Sequence, residues 1–321
     1  MKEFCISPND ANGRMDKFCM RILKDAPSSF VYKMIRKKNI TLNGGRAQGN
    51  EILHAGDVIR FFLSDETFEK FSAHASSEQA SGTGNVADTD SLQIVYEDTD
   101  VLIVNKPSGI LSQKAGASDL SMNEICLHYL KEKGEWDPDD PLAYRPSVCN
   151  RLDRNTSGLL LFAKTLPCAR VLSASLRDRT IRKYYVCIVK GDVKESADLD
   201  GFAIKDEKRN TVRLTKVKEP GAAPVKTHFE PVKGNGELTL LKVELITGKT
   251  HQIRLHLASI GHPILGDPKY GDRALNKKYH VATQLLHAYR MEMPEWENAL
   301  PGISGKIFEI PYPERFQQIM R

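Results

Sequence analysis

The stretch NRLDRNTSGLLLFAK, residues 150–164, passes from alternating Arg and Asp through Ser157-Gly158 into an unbroken apolar run, Leu159 to Ala163. A short apolar run bounded by a Ser-Gly turn signal reads as a buried strand. Asp153 therefore sits in a loop just ahead of a core strand. Between Arg151 and Arg154, and beside whatever cation the fold adds, its carboxylate is expected to stay ionised at neutral pH. Nearby positive charge lowers a pKa that is already about 3.9. An ionised carboxylate in a basic cleft can act as a nucleophile or a base. A structural ion pair would place the same residues in the same order, so the chemistry stays open at this point.

Upstream, LQIVYEDTDVLIVNKPSGIL reads as two strands around the acidic turn Glu97 to Asp100, with Leu92, Ile94, Val101, Ile103 and Val104 as core. SMNEICLHYLKEKG reads as a helix with Ser121 as cap and Glu124 three residues on. Downstream, LPCARVLSASLRDRTIRKYYVCIVKG gives a helix to about Asp178 and then a strand carrying Lys183, Tyr184 and Tyr185. Such a tyrosine is usually a core residue with a bonded hydroxyl, and stacking on a base would require it to face a cleft.

A third segment, LITGKTHQIRLHLASIGHPILGDPKYG, residues 245–271, reads as a strand end, a Thr247-Gly248 turn and a helix stopped at Gly261. Gly248-Lys249-Thr250 is not a phosphate-binding loop, because Val243 stands where that motif needs Gly. His251 and His256 are five apart rather than four, which excludes a pair of zinc ligands on one helix face. Lys249, Arg254, Lys269 and Arg273 make the segment basic.

The whole chain has 321 residues, 46 Lys plus Arg against 41 Asp plus Glu, and a net charge of only +5. That length suggests two domains. Dividing the charge is more informative than summing it. Residues 1–63 carry eleven basic and six acidic residues, or +5; residues 64–91 carry six acids and one Lys, or −5; residues 92–321 carry the remaining +5. The middle stretch, SDETFEKFSAHASSEQASGTGNVADTDS, is acidic and rich in Ser, Ala, Gly and Thr, so it reads as a flexible linker. The expected division is 13–63, 64–91 and 92–321. No apolar run reaches the roughly 20 residues of a membrane helix, and MKEFCISPND lacks the apolar core of a signal peptide. The six cysteines show no C-x2-C spacing, so reduced thiols and a cytoplasmic address are expected.

Between Gly13 and Leu63, Met15, Phe18, Cys19, Ile22 and Leu23 recur at helical spacing, and SSFVYKMIRKKNI sets Tyr32, Met34 and Ile35 among cations. ITLNG then reads as a strand entering an Asn-Gly turn, and HAGDVIRFFL as a turn feeding a last strand. This order resembles the alpha-L RNA-binding domain. The resemblance implies that Lys33, Arg36, Lys37, Lys38 and Arg46 contact RNA phosphates, an interaction that weakens with salt. Without a partner, the same run is a solvated basic face.

The larger body resembles the RluA family of large-subunit ribosomal RNA pseudouridine synthases. The family pattern H-R-L-D-x-x-T-S-G-L-L-L is met by Asn150 to Leu161. Its G-R-T-H-Q-I-R-x-H-L-A-x-x-G-H-P-I-x-G-D-x-x-Y-G is met by Gly248 to Gly271. The resemblance covers residues 92–321 and implies an α+β fold with a mixed, largely antiparallel sheet and a cleft across its face. It implies an isomerase that converts uridine in RNA to pseudouridine without cofactor or metal. Asp153 would be the catalytic aspartate, Tyr184 or its neighbour Tyr185 the active-site tyrosine with Tyr184 preferred, and Arg254 the partner of the aspartate. Arg151 would fill the gap left by a flipped base. Asn150 and Lys249 depart from the family's His and Arg, which bears on substrate contacts. Whether the aspartate attacks the sugar, attacks the ring or acts as a base is open.

The expected partner is RNA, ribosomal RNA first and transfer RNA second, with the chain a monomer and no membrane involved. Two other readings stand beside this one. A non-catalytic RNA-binding or assembly factor would keep the fold, and a nucleoside hydrolase would break the same bond but usually needs two carboxylates.

Overall fold

The computed structural model describes residues 1–321 except 8–9, 73–91, 117–118, 139, 141–143 and 207–210. The chain divides into two compact units. One comprises Met1–Asp88, Leu127–Pro146 and Lys164–Pro167, and the other Thr89–Cys126, Ser147–Ala163 and Cys168–Arg321.

In the first unit the elements are β1 (Lys2–Cys5), α1 (Met15–Ile22), α2 (Ser28–Arg36), β2 (Ile40–Leu42), β3 (Val58–Phe61) and α3 (Asp65–Ser72). Helical spacing puts Met15, Phe18, Cys19 and Ile22 of α1, and Val31, Met34 and Ile35 of α2, into one core with Ile40, Ile59 and Phe61. The three strands pair antiparallel in the order β1-β3-β2. The Asn-Gly turn is present: Asn43 and Gly44 have φ of 49° and 74°, the left-handed values a tight hairpin turn requires.

This unit extends beyond residues 13–63 on both sides. β1 pairs with β3, and α3 occupies the first residues of the stretch read as linker. The polar composition of that stretch hid Phe68 and Phe71, three apart on one helix, and Phe68 packs against Phe4 and Phe61 with ring centroids 6.2 and 5.7 Å away. Residues 73–91, the rest of the expected linker, lie outside the described residues.

The remaining elements are β4 (Ile94–Glu97), β5 (Val101–Lys106), α4 (Met122–Glu132), β6 (Ser147–Val148), β7 (Ser157–Ala163), α5 (Leu166–Asp178), β8 (Arg182–Lys190), β9 (Ala197–Asp206), β10 (Thr211–Thr215), β11 (Ala223–Gly234), β12 (Leu238–Leu245), α6 (Gln252–Ser259), α7 (Arg273–Lys278), β13 (Leu286–Glu292), β14 (Ile307–Glu309) and α8 (Glu314–Ile319). One large sheet runs in the order β10-β9-β11-β12-β8-β13-β7-β5-β4, with β14 on β13 and β6 on β7. Among the described residues its pairings are antiparallel except β13 with β7, so the sheet is mixed and largely antiparallel.

The apolar run of the opening stretch is β7, and Leu159 to Ala163 are fully buried. One face of β5 and β7, with Val101, Ile103, Leu159 and Leu161, packs against Cys168 and Leu172 of α5. Gly158 has φ of +117°, and a side chain there would overlap the Ala288 backbone, so β13 can lie beside β7 only because this residue is glycine. Ile94, expected in the core, is 39% exposed. β4 is the edge strand, with β5 as its partner in the sheet among the described residues. All six cysteines are free thiols. Among the described residues no helix is long and apolar enough to cross a membrane.

Candidate active site

The loop bearing Asp153 is fastened at both ends before its chemistry begins. Asn150 Oδ1 accepts the Leu161 N–H at 2.7 Å and its Nδ2 donates to the Leu159 carbonyl at 3.4 Å, which ties the loop entrance to β7. The departure from the family's histidine is thus a side chain with a backbone-bracing task. Ser112 Oγ donates to the Leu152 carbonyl and accepts the Leu152 N–H, both at 3.0 Å. Lys106, the last residue of β5, has no solvent exposure. Its Nζ donates to the carbonyls of Pro107, Ile110 and Arg154 at 2.9, 2.7 and 3.0 Å. Burial pushes this ammonium down to about 8, while the Asp153 charge acts in the opposite direction.

Beyond Asn150 and Leu152 the chain turns, with the Asp153 carbonyl accepting the Thr156 N–H at 3.0 Å, and Asp153 is left facing α6. Arg254, on that helix, donates from Nη1 to Asp153 Oδ2 at 2.8 Å. Its Nε and Nη2 donate to the two oxygens of Asp267 at 2.7 and 2.9 Å. The guanidinium is therefore shared between a fully buried carboxylate that grips it as a fork and a partly exposed one that takes a single bond. Burial opposes the charge on Arg254, yet the bonds to Asp267 and Asp153 outweigh it and hold the pKa above the ordinary arginine value. Burial likewise works against the Asp267 charge, and Arg254 with the N–H groups of Tyr270 and Lys269 nevertheless holds its carboxyl below the usual range.

Gln252 orients the start of α6. Its Nε2 donates to the Lys226 carbonyl and Thr227 Oγ1, both at 2.9 Å, and its Oε1 accepts from Thr247 Oγ1 at 2.7 Å and the Lys249 N–H at 3.1 Å. The two family-like segments thus meet at one point, with Asp153 and Arg254 as the joint.

The tyrosine is placed differently from the expectation. Successive residues of a strand point to opposite faces, so Tyr184 and Tyr185 of β8 cannot share a site. Tyr185 is 5% exposed and lines the cleft with Asp153, Arg151, Lys249, His251 and Arg254. Tyr184 lies on the other face, where its ring sits under the guanidiniums of Arg182 and Arg290 at 5.2 and 5.7 Å and its hydroxyl donates to Glu292 at 3.3 Å. Tyr185, the neighbour set second by the sequence, is the residue at the cleft.

The sequence model of the family described as RNA pseudouridylate synthase matches residues 100–259. A ribosomal large subunit pseudouridine synthase C of Vibrio vulnificus is 35% identical over 88% of this chain and 85% of its own length. That of Escherichia coli is 30% identical over 98% and 93%. The chain belongs to the RNA pseudouridylate synthase family. The solved structure of human RNA Pseudouridylate Synthase Domain Containing 4 matches with a TM-score of 0.56 at 21% identity, covering 70% of this chain and 90% of that one, which shows the shared fold.

In this chain the cation bonded to the aspartate comes from α6, not from the arginines that neighbour it in sequence. Arg154 is exposed and lies 3.8 Å from Asp119, and Arg151 is exposed at the cleft. Lys33, Arg36, Lys37, Lys38 and Arg46 are all exposed in the first unit, on α2, on the residues that end it and just past the Asn-Gly turn. The sequence reading assigned no role to Asp267, Lys106, Gln252 or Tyr270. Asp267 and Tyr270 stand inside the quoted G-D-x-x-Y-G pattern, and an unpaired acid in a basic segment was the available signal for Asp267.

Proposed function

We propose that the protein isomerises specific uridines of large-subunit ribosomal RNA to pseudouridine, acting in the cytoplasm as a monomer, with Asp153 as the catalytic carboxylate. The observation that carries this reading is the pairing of Asp153 with Arg254 at 2.8 Å beside Tyr185 in one cleft. The curated relatives, named as ribosomal large subunit synthases, favour ribosomal over transfer RNA as the target.

The reaction breaks the N1–C1′ bond, turns the uracil and joins C5 to C1′. C5 loses a proton and N1 gains one, so atoms balance without a co-reactant. The uridine must leave its stack, at a cost of a few kcal/mol. Arg151, exposed at the cleft, would fill the space the base vacates, and Tyr185 would pack on the uracil. Arg254 anchors the carboxylate through Oδ2 and, among the described residues, Oδ1 accepts no hydrogen bond, so Oδ1 is the oxygen open to the nucleoside. A carboxylate fixed in one orientation gains rate from geometry rather than from acidity. The N-terminal cations Lys33, Arg36, Lys37, Lys38 and Arg46 would hold RNA phosphates.

Asp267 weighs against a hydrolase. Both its oxygens are spent on Arg254 and it is fully buried, so it cannot supply the second, acid-base carboxylate of a glycosidase. The test is pseudouridine formation by purified protein on RNA from a strain lacking it, with sites mapped in total RNA. Modified uridines confined to transfer RNA would overturn the ribosomal assignment, and free uracil as product would overturn isomerisation.

A further inference from the structure

His251 is built into the cleft at a conformational cost. It precedes the first residue of α6 with φ of 56° and ψ of 16°, a left-handed backbone that is uncommon outside glycine, though His, Asn and Asp adopt it more readily than other residues. Its ring lies between two groups. Nδ1 is 2.9 Å from the Tyr270 hydroxyl and Nε2 is 3.9 Å from Asp153 Oδ2. The Tyr270 ring in turn lies 5.2 Å under the Arg254 guanidinium.

The proton on this imidazole can be placed. A bare Nε2 lone pair facing a carboxylate would be repelled, so Nε2 carries the hydrogen and Nδ1 accepts from the Tyr270 hydroxyl. The Val212 backbone N–H acts on the Tyr270 oxygen as a donor, while burial keeps Tyr270 in its protonated form, so the hydroxyl hydrogen is left for His251. Asp153, Arg254, Lys269 and Asp267 are the charged groups that act on the ring, and Lys249 lines the same cleft. Burial lowers the histidine pKa, with Asp153 opposing and Arg254 and Lys269 adding to the drop, so the neutral ring is the working form near pH 7.

We propose that His251 is a positioning residue: Tyr270 locks its ring as the Nε2–H tautomer, and that N–H steers Oδ2 of Asp153 onto Arg254 so that Oδ1 faces the nucleoside. The inference rests on Asp153 being the catalytic carboxylate. It also accounts for the strained backbone, since a relaxed residue 251 would swing the ring away from Asp153.

The test uses the full chain, a defined RNA substrate, and the variants His251→Asn, Tyr270→Phe, their double and Asp153→Asn. Asn suits the left-handed backbone but is too short to bridge Tyr270 and Asp153. A misdirected carboxylate should lower kcat of His251→Asn about 10- to 100-fold with KM nearly unchanged. Tyr270→Phe should lower kcat less, and the double variant should be no slower than His251→Asn alone, because both changes break one chain of contacts. Unchanged kcat in His251→Asn, or losses that multiply in the double variant, would overturn the proposal while an inactive Asp153→Asn left the aspartate reading intact. Full activity in Asp153→Asn would overturn both. If His251→Asn does not fold, Tyr270→Phe decides: a kcat loss at constant RNA affinity supports the proposal and wild-type kcat contradicts it.

Discussion

The cations on and after α2 and the cation of α6 carry the same charge and do opposite work. Lys33, Arg36, Lys37 and Lys38 stand in solvent, where salt screens them and each is nearly dispensable to the fold. Arg254 is 6% exposed and held by two carboxylates, so its charge cannot be screened and its partners cannot be removed singly without leaving charge buried. Exposed cations suit reversible attraction to a polyanion, whereas a buried one fixes the direction of a carboxylate. A chain that must both search RNA and hold one uridine for chemistry needs both kinds.

Breaking the buried side of this comparison should cost most. Asp267→Ala strips Arg254 of its two-bond partner and should destabilise the protein by about 3–5 kcal/mol in denaturant titration. A loss under about 1 kcal/mol would mean that Asp153 alone satisfies Arg254. Lys106→Met keeps an apolar stem but takes the donor from the Pro107 and Ile110 carbonyls, while the Arg154 carbonyl keeps the Gly109 N–H, and a drop of about 2–3 kcal/mol is expected from the unsatisfied acceptors. The exposed side should respond in affinity and hardly in stability. Lys37→Ala should leave unfolding within about 0.5 kcal/mol of wild type and lower the salt dependence of RNA binding by about one ion. An unchanged salt slope would remove that lysine from the RNA contact.

The sequence disclosed the parts of this account that depend on local pattern. Leu159 to Ala163 read as a buried strand and are one, and the Asp153 loop stands where the polar run ends. Spacing also found α1, α2, α5 and the Asn-Gly turn. Pairings across long separations are not legible in spacing. The family resemblance alone joined Arg254 to Asp153, 101 residues apart, and the reach of Lys106 to Arg154 across 48 residues went unread. Which of the two tyrosines lines the cleft was hidden for a related reason. Alternation says that Tyr184 and Tyr185 face opposite ways, but only the Asp153 loop and the start of α6, which line the cleft with Tyr185, fix which face of β8 holds it. The helix over residues 65–72 was hidden by averaging it with a polar stretch more than twice as long.

The central claim is that one anchored carboxylate performs the chemistry while separate cations hold the RNA. Asp153→Asn keeps size and a hydrogen-bonding oxygen for Arg254 but removes the charge. Measured on one RNA substrate, this variant should form no pseudouridine and still bind with wild-type affinity. Pseudouridine formation at a rate near wild type would contradict the claim.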